Sequence, residues 1–152
     1  MGLSVKEKNR EEKPTPHSAK PRAKGMRRVF NAVLYSMEGI GSTLKHEEAF
    51  RQEVFASCLL IPLAILLPID LTSKLLLIGS FLLVFIVELL NTAIEVAIDY
   101  ISEYDHHFLA KRAKDMASGA VFLSLLNGAI IWFSIFAFNW GKISDWVAGF
   151  FQ

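Results

Sequence analysis

The chain has 152 residues, of which 53% are hydrophobic and only 20% charged, with a formal net charge of +1 at pH 7. The length suits one domain, the apolar excess excludes an ordinary soluble globule, and the near-neutral balance points to no nucleic-acid partner. A single cysteine, Cys58, excludes an intrachain disulfide and any CxxC motif, and it reads as a small buried apolar residue.

The chain opens on "MGLSVKEKNREEKPTPHSAKPRAKG", charged throughout and without an apolar signal-peptide core. Its Lys, Glu, Pro and Ser content cannot support a core, so residues 1–25 are expected to be a disordered basic tail. Lys6 stands where a myristoylation motif requires Ser or Thr. A membrane domain is expected over 26–140. It begins with a helix at about 27–47, where Phe30, Val33, Leu34, Met37, Ile40 and Leu44 recur at three- and four-residue spacing. With Arg27 and Arg28 at its start, this stripe reads as a helix lying along a membrane surface. Gly39 and Gly41 weaken it and mark a candidate bend.

Three apolar runs follow, expected to span the bilayer at about 50–69, 74–99 and 114–138. The first contains "VFASCLLIPLAILLPI", with Pro62 inside it and Pro68 and Asp70 at its end. Trp132 lies inside the third; Trp140 and Trp146 beyond it suit an interfacial belt. Residues 141–152 read as a C-terminal tail. The expected fold is thus an all-α integral membrane protein, with one amphipathic surface helix and three transmembrane helices. Eleven of the sixteen Lys and Arg residues precede the apolar run that begins at Val54, and Lys111, Arg112 and Lys114 lie between the second and third apolar runs. The positive-inside rule then puts the N-terminus and the 100–115 segment in the cytoplasm and the C-terminus on the far side.

The second span ends in "VELLNTAIEVAID", whose polar residues are costly in lipid. Glu88, Asn91, Glu95 and Asp99 are spaced by three, four and four, so they share one helix face. A single such residue is often only interhelical hydrogen-bond glue; four on one line, two of them glutamates, indicate a site. Carboxylates in this arrangement can hold a hard cation such as Mg²⁺ or accept a proton from a hydroxyl. Glu47, Glu48 and Glu53 stand just before the first span and "KRAKD" (Lys111–Asp115) just after the second, on the same side. Acids, a lysine and a surface helix at one interface are what phosphoryl transfer from MgATP to a lipid needs. There is no GxxxxGK[ST] loop, so a nucleotide site here is not of the P-loop kind. His106 and His107 are adjacent, which makes them a poor metal pair.

The segments "EEAFRQE", "VELLNTAIEVAID" and "AKRAKDMASGAV", in this order, resemble the bacterial membrane diacylglycerol kinase family. The resemblance covers about residues 28–138. It implies a small homotrimeric kinase of the bacterial inner membrane, with active sites shared between subunits. Such a kinase moves the γ-phosphate of MgATP to the primary hydroxyl of diacylglycerol. At the matching positions Glu88 would be the general base, and Glu47 and Glu95 would hold Mg²⁺ on the ATP phosphates. Lys114 would contact phosphate and Asp115 the nucleotide, with Arg28, Tyr35, Glu103, Tyr104 and Asp105 as further nucleotide contacts. Ser36, Arg51, Gln52, Glu53, Ser118 and Trp132 match positions near the lipid substrate, and Asn91 and Asp99 would support the site. The segment "ISEYDHHFLAKR" departs from the family's usual connection in length. Two alternatives use the same acidic stripe: a kinase acting on undecaprenol, and a small oligomeric transporter.

Overall fold

The computed structural model describes residues 25–102 and 108–149, and all the secondary structure among them is α-helical. The helices are α1 (Met26–His46), α2 (Glu48–Leu66), α3 (Leu71–Ser102), α4 (Phe108–Phe138) and α5 (Trp140–Ala148). Two compact units divide the chain, Met1–Ser36 and Met37–Gln152. The basic N-terminal segment before Gly25 lies outside the described residues.

Gly25 adopts φ 63°, a left-handed conformation that glycine takes without strain, and its carbonyl accepts from Arg28 N at 3.0 Å to start α1. The helix runs on through Gly39 and Gly41 to His46. Its apolar stripe is exposed along the chain, from Phe30 and Val33 to Ile40 and Leu44. Glu47 then leaves the helical region (φ −102°, ψ 119°) and separates α1 from α2. Across this break the Arg51 guanidinium donates to the Lys45 carbonyl at 3.2 Å, satisfying a carbonyl that the end of α1 leaves open.

Helices α2, α3 and α4 each contain a stretch long and apolar enough to cross a membrane. The chain is an integral membrane protein. Helix α3 has 32 residues and α4 has 31, so at 1.5 Å per residue each reaches roughly 45–50 Å, well beyond the ~30 Å hydrocarbon layer. Their ends therefore stand in the interface or in water. Pro62 is accommodated inside α2; Leu67 takes ψ 141° ahead of Pro68, as a residue before proline prefers, and the helix stops there. Asp70 starts α3: its carboxylate accepts from Ser73 N at 3.0 Å and from the Ser73 hydroxyl at 2.6 Å. Lys74 closes the same turn by donating to the Ile65 carbonyl at 2.6 Å.

α3 is the central helix, with α4 packed along it and α2 beside it. Buried serines on all three helices, Ser57, Ser80 and Ser124, donate to the carbonyl three residues back. None of these three hydroxyls is therefore left bare in an apolar layer. Ser80 also accepts from Trp132 Nε1 at 3.3 Å, tying α3 to α4, and Gly128 of α4 faces Ser80 at the same level. Aromatic rings join the three helices: Phe50 of α2 meets Phe85 of α3 edge-on at 5.6 Å, Phe81 of α3 meets Trp132 of α4 at 5.9 Å, and Trp132 stacks on Phe136 at 5.9 Å.

At the turn end a cluster of Ala64, Leu67, Ile69, Leu77 and Ile143 is buried. Three features add to or depart from the sequence expectation. The C-terminal tail expected over 141–152 carries most of a helix, Trp140–Ala148, and its Ile143 belongs to that cluster. Cys58 is exposed on α2 rather than buried within the chain. Lys111–Asp115 lie within α4 and not ahead of it.

Candidate active site

Where α2 leaves Glu47, four acids gather around α3. Glu88 is 4% exposed, the one charged-type side chain among the buried residues described. Glu47 and Glu95 are both within electrostatic range of it, and Glu53 on α2 is within range of Glu88. The geometry follows from the helix period: Glu88, Glu95 and Asp99 recur at seven and four along α3, while Glu47 comes from the extended residue ahead of α2.

One turn outward, Asn91 Nδ2 donates to Glu95 Oε1 at 3.1 Å. At the water-facing end the Lys114 ammonium donates to Asp99 at 2.7 Å, and Lys114 also feels the charge of Glu95. This ion pair bridges α3 and α4. It thereby brings one cation of the "KRAKD" segment onto the acidic stripe of the second span.

Three side-chain oxygens here are buried and have no hydrogen-bond partner: Glu53 Oε2, Asn91 Oδ1 and Thr92 Oγ1. Buried polar atoms are nearly always paired, so each of these oxygens, on α2 and α3 at the level of the acids, calls for a partner. Two are pure acceptors, which suit a hydroxyl group or a cation rather than a phosphate oxygen. Thr92 was legible in the sequence only as a small residue. Its position four residues after Glu88 places it on the acidic line, and that was the available signal.

The remaining expected site residues divide by location. Asp115 and Ser118 are exposed on the first turns of α4, and Arg51 and Gln52 are exposed on α2. Arg51 is engaged with the Lys45 carbonyl, and Gln52 donates to Glu48 at 3.3 Å. Trp132 lies at the level of Ser80, about 12 Å along the helix axis from Glu88, and does not join the acids. Instead it lines an apolar cavity of about 310 Å³ between α2, α3 and α4, with Leu60, Ser80, Phe81 and Val84. Val84 is one turn from Glu88, so the cavity reaches almost to the acids. Arg28, Tyr35 and Ser36 belong to the N-terminal unit, where Tyr35 is exposed and Ser36 donates to the Ala32 carbonyl at 2.9 Å. Glu103, Tyr104 and Asp105, with His106 and His107, lie outside the described residues.

The donor set around Glu88 is all oxygen, as Mg²⁺ requires. Among the described residues no group of three or more His, Cys, Asp or Glu side chains forms a ready-made cage. Mg²⁺ commonly takes one or two carboxylates and fills its other positions with phosphate and water. Glu47 and Glu95 fit a cation of that kind, one that arrives with its phosphates.

Residues 34–136 match the family model for prokaryotic diacylglycerol kinase. The chain belongs to the prokaryotic diacylglycerol kinase family. It is 41% identical over 114 residues to the diacylglycerol kinase of Haemophilus influenzae, covering 75% of this chain and 96% of that protein. It is 42% identical to that of Pseudomonas aeruginosa over 111 residues, covering 73% and 89%. Against that of Escherichia coli K12 it is 42% identical over 108 residues, covering 71% and 88%. In this member of the diacylglycerol kinase family, the whole acidic cluster and the Lys114–Asp99 pair fall inside the matched region, whereas α5 falls beyond it.

Proposed function

We propose that this protein transfers the γ-phosphate of ATP to the primary hydroxyl of diacylglycerol, giving phosphatidic acid and ADP. The observation that carries this reading is a buried Glu88 flanked by Glu47 and Glu95, in a chain of this family. A lipid hydroxyl is a poor nucleophile until a base takes its proton, and Glu88 is the acid most withdrawn from solvent. Its carboxylate accepts the hydroxyl proton while the lipid oxygen attacks the γ-phosphorus. The bond from that phosphorus to the bridging oxygen of ADP breaks, and ADP leaves. Mg²⁺, bound with ATP, neutralises charge on the phosphates, and Glu47 and Glu95 are the residues that would hold it. Lys114, on its tether to Asp99, would meet the phosphates, and Asp115 would contact the nucleotide. Arg28, Tyr35 and the 103–105 segment are proposed as further nucleotide contacts.

The orphaned oxygens of Glu53, Asn91 and Thr92 support a hydroxyl-bearing headgroup beside Glu88. The apolar cavity starting at Val84 supports an acyl chain running from that headgroup past Trp132. Ser36, Arg51, Gln52 and Ser118 would contact the lipid nearer the membrane surface.

The distribution of Lys and Arg supports an inner-membrane location with the acidic end in the cytoplasm. The spans leave most of their apolar surface uncovered; only 6% of the best window of α4 is buried in the chain. That supports assembly of copies, and a homotrimer with active sites shared between neighbours is the proposed form. Transfer of label from γ-labelled ATP, assayed with diacylglycerol and undecaprenol in parallel, tests the reading. Labelled phosphatidic acid supports it, and label in the polyprenol alone refutes it.

A further inference from the structure

The last helix, α5, lies outside the segment that matches the family, and the kinase reading gives it no task. It follows α4 after a single residue, Asn139, whose φ −108° and ψ 14° break the helical run. The joint is tied: Asn139 Nδ2 donates to the Ile135 carbonyl at 2.9 Å, and Ile143 N donates to the Asn139 carbonyl at 3.0 Å. At about 100° per residue, Trp140, Ile143, Trp146 and Val147 fall in an apolar arc of about 120°. Gly141, Lys142, Ser144, Asp145 and Ala148 occupy the rest.

That arc is used on one edge only. Ile143 is 6% exposed, packed with Leu67, Ile69 and Leu77 at the α2–α3 turn, and Trp146 is half-buried against the same cluster. Trp140 is 66% exposed and Val147 43%. Phe138, the last residue of the membrane-length α4, is 91% exposed.

We infer that α5 is an interfacial anchor. Ile143 and Trp146 clamp it to the α2–α3 turn, while Trp140 and Val147 enter the boundary between acyl chains and headgroups in the leaflet at that end. Three observations select lipid as the occupant. The helix begins where a membrane-crossing helix ends, so its start lies at bilayer depth by chain continuity. Two exposed side chains fall far short of the ~800 Å² per partner of a stable protein interface. The polar arc carries one Lys and one Asp, so attachment rests on the apolar edge and not on anionic headgroups.

The test uses the full chain in phosphatidylcholine vesicles. Trp140 is kept as the sole tryptophan in one variant (Trp132→Phe, Trp146→Phe) and Trp146 in another (Trp132→Phe, Trp140→Phe). The expected result is that lipid brominated near the top of the acyl chain cuts Trp140 emission by more than half. Lipid brominated near the methyl end should quench it less, and Trp146 should respond less to either. Trp140 emission quenched by acrylamide as in free tryptophan and indifferent to brominated lipid would overturn the inference. So would Trp140 emission that neither quencher reaches, since a protein partner would then cover it. A second chain guards against loosening of α5 by the Trp changes: Cys58→Ser, Val147→Cys, labelled with an environment-sensitive dye, all tryptophans retained. Blue-shifted dye emission in vesicles supports the anchor, and emission like that of the dye in water refutes it.

Discussion

Thr92→Val separates a residue that serves the site from one that only builds the helix. Valine keeps the shape of threonine and replaces the hydroxyl by a methyl. The Thr92 oxygen is buried without a partner. A buried, unsatisfied hydroxyl costs about 1–3 kcal/mol, so removing it should raise stability by about 1 kcal/mol, roughly fivefold in the folded-to-unfolded ratio. The same hydroxyl, completed by substrate, would be lost to catalysis: about 1.4 kcal/mol of transition-state binding is about tenfold in kcat/KM. The assay is SDS titration in mixed micelles followed by tryptophan emission, alongside phosphate transfer at several diacylglycerol concentrations. Thr92→Ser should restore activity without the stability gain. A variant less stable than the parent and unchanged in kcat/KM would refute the reasoning, because the hydroxyl would then have a structural partner.

Asp99→Asn should alter stability by less than about 1 kcal/mol, because the pair is partly exposed and ion pairs of that kind contribute little. It should nonetheless raise KM for ATP by freeing Lys114, and Lys114→Met should raise it further; a fall in kcat at unchanged KM would argue against a positioning role. Ile143→Ala removes a buried side chain from the turn-end cluster and should cost about 2–4 kcal/mol in the same SDS titration. At the α2–α3 turn, hydrogen bonds from the Ser73 hydroxyl and backbone hold the Asp70 carboxyl below its ordinary value of 3.8. A lowered folded-state pKa gives stability that is present above the ordinary value and lost as pH falls through the lowered one. The advantage of the parent over Asp70→Ala should therefore be constant near neutrality and shrink below about pH 4. An advantage independent of pH would contradict the charged cap.

Much of the fold was legible because the bilayer enforces it. Runs such as Val54–Ile69 have no other reading at that density of Leu and Ile, and Pro68 with Asp70 marks a turn by local chemistry alone. The acidic line was legible for the same reason that it is costly: Glu88, Asn91, Glu95 and Asp99 stand out against lipid-facing Leu and Ile. What could not be read is long-range or small. Ser80 and Trp132 are 52 residues apart, and no periodicity announces their hydrogen bond or the cavity beside it. Arg51 reads as a ligand-binding cation, yet it closes the end of a helix whose stop at His46 depends on Glu47 taking an extended conformation. With nine residues and two glycines nearby, Trp140–Ala148 has too little propensity to read as a helix alone; its packing of Ile143 on the turn supplies what local sequence lacks.

The most direct measurement is the initial rate of phosphate transfer from γ-labelled ATP to diacylglycerol by purified, reconstituted protein, compared with its Glu88→Gln variant. Loss of a general base costs about 100-fold or more. The account predicts labelled phosphatidic acid from the parent and a fall of at least that size in the variant, with the oligomer intact. Full turnover by Glu88→Gln would contradict it.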